Sequence, residues 1–125
     1  MAVCQGMGLD TTGVPRMASG FGGGIGGSGA TCGALVGAVM AVGLVAGRDT
    51  TDGDRASAGA IGRRIHDAFR EEMGATACRE LTGLDLTTPE GGQQLRSSGV
   101  SARVCGPAVE LAARLALGEL RDVAD

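Results

Sequence analysis

Cys32, Cys78 and Cys105 lie in three separate segments of a chain that has no Trp, no Tyr and a single His. Each begins or adjoins a predicted helix, so any chemistry this chain performs is sulfur chemistry. With Ser28 or Thr31 as cap, Cys32 falls in the first turn of its helix, and Cys105 opens the last one. A helix N-terminus favours the thiolate, the form of cysteine that acts as nucleophile and as metal ligand. Arg79 follows Cys78 and Arg103 precedes Cys105, and a neighbouring cation pushes the same way. The competing reading is that each Cys is a small buried hydrophobe. There is no CxxC, and the long separations match no compact zinc motif.

Other chemistries find little support. His66 sits mid-helix beside Asp67 and reads as a solvated side chain. No acidic pair is placed for acid–base work, and no Ser/His/Asp arrangement can be assembled. The run from Gly20 to Gly29, which leads into the Cys32 helix, invites a phosphate reading, because backbone N–H groups and a helix N-terminus cradle anions. A Walker loop, however, needs Lys after the glycines, and this chain has no Lys. A dinucleotide fingerprint needs a preceding strand, and residues 15–19 do not form one. The glycines, Gly22, Gly23 and Gly24 among them, are better used to bring backbone close to the sulfur of Cys32.

The elements that must position these residues read as helices. A short helical piece covers about Met1 to Met7, and a second lies near Pro15 to Ser19. An apolar helix carrying Cys32 runs towards Gly47. A polar connection follows, then an amphipathic helix from about Arg55 to Met73, with Ile61, Ile65, Ala68, Phe69 and Met73 on its apolar stripe. That stripe is expected to pack on the Cys32 helix, and Gly74 ends it. Cys78 to Leu81 makes a short turn or helix, and Thr88-Pro89 is a cap with Pro at the first helical position. The last helix runs from about Cys105 to Val123, with Val109, Ala112, Ala116 and Leu120 on one face. No internal repeat and no sustained β alternation is present. The fold class is therefore all-α, a single-domain helical bundle over residues 1–125 with a Gly-rich loop before the central apolar helix.

Composition agrees. A length of 125 residues suits one domain. With 2% aromatic residues, the core must be filled by Ala, Val, Leu, Ile and Met, whose small members pack helices closely. The formal net charge of −3 and the lack of stacking aromatics speak against nucleic-acid binding. No secretory signal is visible, so cytoplasm is the expected compartment, where cysteines serve metal or redox chemistry more often than structural disulfides. The uncharged stretch from Ala30 to Gly47 is short for a bilayer and has neither an aromatic belt nor a basic flank. It is expected as a buried helix rather than a membrane span.

The order of motifs resembles one family. Gly20-Phe21-Gly22-Gly23-Gly24, then Thr31-Cys32-Gly33-Ala34-Leu35-Val36-Gly37, Cys78-Arg79-Glu80-Leu81-Thr82-Gly83-Leu84-Asp85, Thr88-Pro89-Glu90-Gly91 and a final Cys105 at a helix look like the C_GCAxxG_C_C family of redox-active proteins. The resemblance runs from about Gly8 onward. It implies a small helical protein with four characteristic cysteines, three of them Cys32, Cys78 and Cys105. Some relatives have the domain joined to cytochrome segments, with its cysteines associated with an iron–sulfur centre. Cys4 stands only about one turn ahead of Gly8-Leu9-Asp10, whereas the family's first Cys stands two or three turns ahead. Cys4 is therefore not expected to be its equivalent: the family's N-terminal Cys segment is absent, or this member works with three cysteines.

Three functions are open on this basis. In the leading one, Cys32, Cys78 and Cys105 ligate an iron–sulfur cluster of [2Fe–2S] type, wrapped by the Gly22 to Gly24 backbone, and exchange electrons with a separate electron-transfer protein. In the second, two of the cysteines cycle between dithiol and disulfide, with Cys32 as attacker. In the third, the chain is a structural helical module that pairs through a Gly33/Gly37/Gly43 face. Homodimerisation is compatible with all three.

Overall fold

The computed structural model describes residues 1–124, and all its regular elements are helical. The chain opens with α1 (Ala2–Gly6) and α2 (Val14–Met17), passes through the glycine-rich loop, and enters α3 (Gly33–Ala46). It continues through α4 (Ala56–Met73), α5 (Cys78–Thr82) and α6 (Pro89–Ser97). It ends in a π-helical turn (Ser101–Cys105) that runs directly into α7 (Gly106–Ala124).

Three helices, α3, α4 and α7, make the bundle, each packed against the other two. Spacing explains which faces meet. On α4, Ile61, Ile65 and Phe69 recur every four residues and are buried, while Arg63, Arg64 and Arg70 stay exposed. On α7, Ala108, Leu111, Ala112, Ala116 and Leu120 form the buried face. Small residues there and on α3 (Ala38, Ala41) let the backbones approach, as a chain poor in aromatics requires. A two-pronged ion pair from the Arg64 guanidinium to the Glu119 carboxylate, at 2.8–3.1 Å, ties α4 to α7 at the rim. Val3 and Cys4 of α1 close one end of the core.

Local signals set the ends. Asp54 accepts hydrogen bonds from the Ala56 N–H and the Ser57 hydroxyl, each at 2.8 Å, and so starts α4. Gly74, at φ 85°, ends it in the left-handed conformation. Thr88 caps α6 by accepting from the Gly91 N–H at 3.1 Å, with Pro89 at the first position. No described helix is long and apolar enough to cross a membrane, and α3 has 14 residues.

Two expected features differ. Val109 is 55% exposed rather than part of the buried face of α7. Gly33, Gly37 and Gly43 do not form one pairing face. Gly33 packs on the Phe21 backbone while Gly37 and Gly43 have open space beside them, and at about 100° per residue Gly43 points some 120° away from Gly37.

Candidate functional site

The glycine-rich loop is a folded knot of backbone. Gly26, Gly27, Gly29 and Ala30 donate their N–H groups to Gly20, Gly22, Gly23 and Gly24 carbonyls respectively, at 2.8–3.0 Å. The Ser28 hydroxyl, instead of capping α3, donates back to the Gly24 and Ile25 carbonyls. Gly24, at φ 70°, sits so that a Cβ would collide with the Ala30 backbone and lie 2.7 Å from the Cys78 Cβ. Only glycine lets the loop rest directly on Cys78.

A short antiparallel clamp then joins this loop to the α5 segment. Thr31 and Ala77 form an isolated β-bridge. The Cys32 N–H donates to the Thr76 carbonyl at 2.8 Å and the Cys78 N–H to the Ala30 carbonyl at 2.7 Å. Two cysteines distant in sequence are thereby held side by side. Cys32 is itself the N-cap residue of α3, with Gly33 as the first helical position. Gly33 is packed so tightly that a Cβ would lie 2.9 Å from the Phe21 carbonyl oxygen.

Cys105 arrives by a route that the sequence did not announce. It does not open the last helix but ends the π turn, in which the Gly106 N–H donates to the Ser101 carbonyl five residues back. The π turn is in contact with the α5 segment, and this brings Cys105 to the side of the cavity where Cys78 lies.

Cys32, Cys78 and Cys105 line one cavity of about 440 Å³ together with Gly22, Gly23 and Gly24. All three thiols are free and half-buried. Burial pushes the Cys78 thiol above its ordinary range, and the charges that Cys105 and Cys32 would carry as thiolates push it further, against a lowering by the Thr82 hydroxyl. Burial likewise raises Cys105, with Cys32 adding to it. The expectation that helix starts and arginines favour thiolates is overturned at these two positions. The Arg79 guanidinium is occupied by the Asp85 carboxylate at 2.6 Å, and α5, with five residues, is too short for a substantial dipole.

Cys4 is elsewhere. It is 2% exposed, belongs to the hydrophobic core and does not line the cavity. His66 lies on the outer side of α4, its Nδ1 2.9 Å from Asp67. No three His, Cys, Asp or Glu side chains among the described residues are arranged to hold a single metal ion. Phe21, Gly37 and Val109 also line the cavity, and nothing in their type or spacing marks them as its walls.

The family described as "Putative redox-active protein (C_GCAxxG_C_C)" matches residues 1–118. The chain belongs to this family. The C_GCAxxG_C_C match spans the glycine-rich loop, all four cysteines and most of α7. No curated protein and no solved structure matches the chain.

Proposed function

We propose that this C_GCAxxG_C_C protein transfers electrons through an iron–sulfur cluster held by Cys32, Cys78 and Cys105 at the loop end of the cavity. The observation that carries the reading is the convergence of three free thiols from three segments onto one cavity wall. The donor set fits such a group. A cluster spreads its ligands over more than one iron, so its thiolates need not focus on a single point, unlike the ligands of a lone ion.

When bound, the cluster supplies an electron couple shared between iron and sulfide. The protein's part is to accept and shape it. Cys78 and Cys105 stay protonated in the metal-free protein because burial and mutual repulsion disfavour their thiolates; a cation relieves that repulsion, so loading releases their protons. Gly22, Gly23 and Gly24 line the cavity and their N–H groups donate to no carbonyl among the described residues, which leaves them free to donate to the sulfur of a bound cluster.

The test is iron and acid-labile sulfide content with a visible spectrum, on protein purified without oxygen. About two irons per chain or per dimer with sulfide-to-iron charge-transfer bands support the cluster. Cys32→Ser should lose the iron and Cys4→Ala should keep it. A colourless, metal-free protein whose thiols titrate reversibly with oxidant would instead establish dithiol exchange.

A further inference from the structure

Thr82 stands four residues after Cys78, at the last position of α5, and so on the same side of the helix. Its hydroxyl donates to the Cys78 carbonyl at 2.8 Å and accepts from the Leu84 N–H at 3.2 Å. Thr82 is not among the residues that line the cavity. It therefore meets Cys78 from the protein side and leaves the cavity side of the sulfur to the iron.

A hydroxyl has one proton and two acceptor positions. The Leu84 N–H takes an acceptor position and fixes the oxygen, so rotation about the Cβ–Oγ1 bond alone decides where the proton points. A neutral thiol is a weak acceptor, and the proton rests on the carbonyl. A sulfur bound to iron carries negative charge, and charge-assisted hydrogen bonds are roughly twice as strong as neutral ones. The Thr82 hydroxyl also lowers the Cys78 thiol, against its burial, and no side-chain hydroxyl does this at Cys105. The oxygen is thus within reach of the Cys78 sulfur.

We infer that Thr82 is a positioning residue of the centre, whose hydroxyl turns from the Cys78 carbonyl to the Cys78 sulfur when iron binds and raises the reduction potential. The inference rests on the iron–sulfur reading above and adds to it a residue that sets the potential. One-electron reduction adds one negative charge to a cluster and its sulfurs. A hydrogen bond donated to a ligand sulfur strengthens with that charge, so the reduced form gains more from it than the oxidised form.

The test is a reductive titration of the iron-loaded protein with dithionite and redox mediators, followed in the visible spectrum, with iron content read in parallel. Expected is a reduction equilibrium at least tenfold less favourable in Thr82→Val and Thr82→Ala than in the parent, about 59 mV for a one-electron couple. Thr82→Ser keeps the hydroxyl and should keep the parent's potential. So should Thr88→Ala, which loses a hydroxyl bond to the Gly91 N–H away from the cavity. An unchanged potential in loaded Thr82→Val, or a fall in Thr82→Ser or Thr88→Ala as large as in Thr82→Val, would overturn the inference. Loss of iron from both Thr82→Val and Thr82→Ala would mark a purely structural residue and overturn it as well. A parent protein that holds no iron sinks the cluster reading and this inference together, whereas a loaded parent with an insensitive Thr82→Val sinks this inference alone.

Discussion

At the scale of single residues, the site depends on where a side chain is forbidden as much as on where one is present. Gly24→Ala places a methyl group against the Ala30 backbone and the Cys78 Cβ in a left-handed conformation. It should displace the loop from Cys78 and lower iron retention while leaving helicity intact by circular dichroism. Ile25 has the opposite character. It is the only described non-glycine residue with positive φ, at 67°, and it is β-branched and 46% exposed. Left-handed backbone costs an L-residue about 1–2 kcal/mol, so Ile25→Gly should raise unfolding free energy by about 1 kcal/mol in a denaturant titration. No change there would show that the loop does not hold Ile25 under strain.

At the scale of elements, the three cysteines are delivered by three different devices: a helix cap, a β-bridged clamp and a π turn. None is stabilised alone, since isolated short helices are marginal in water, so the bundle beneath must hold them. Phe69, fully buried at the α4 contact, anchors that bundle. Phe69→Ala should cost about 3–5 kcal/mol, enough to unfold a domain of this size in mild denaturant and to lose the site with it. The α6 cap is a smaller matter: Thr88→Ala removes the acceptor of the Gly91 N–H and should cost about 1 kcal/mol with the thiol cavity unaffected.

For the whole molecule, composition gives an unusually clean view of the thiols. With neither Lys nor Tyr in the chain, the side chains that titrate on the alkaline side are its cysteines. The folded protein raises Cys78 and Cys105 above the ordinary thiol range, chiefly by burial. In that direction the folded state binds more protons than the unfolded one, so the stabilisation is full below pH about 9 and is lost as pH rises through the folded values. Thermal melts of the metal-free protein should therefore fall above pH 9, and the Cys78→Ala/Cys105→Ala double variant should flatten the curve. An unchanged slope in that variant would place the alkaline loss elsewhere. On the acid side, Glu119 is lowered chiefly by its bonds with Arg64, so that contribution is present above its unfolded value and fades as pH drops below it.

The sequence by itself determined what depends on near neighbours along the chain. The four-residue recurrence of Ile61, Ile65 and Phe69 defined the buried face of α4, Gly74 and Thr88-Pro89 marked helix ends, and the ordered cysteine and glycine motifs pointed to the family. These features are local, or recur with a helical period, and so are written in residue order. Only the tertiary structure decided what depends on distant segments meeting. The Thr31–Ala77 bridge set Cys32 beside Cys78, the π turn brought Cys105 to them, and burial with mutual repulsion reversed the expected shift of two thiols. It also separated Cys4 into the core. Burial, repulsion and cavity shape are sums over atoms far apart in the chain, and no spacing within one segment encodes them.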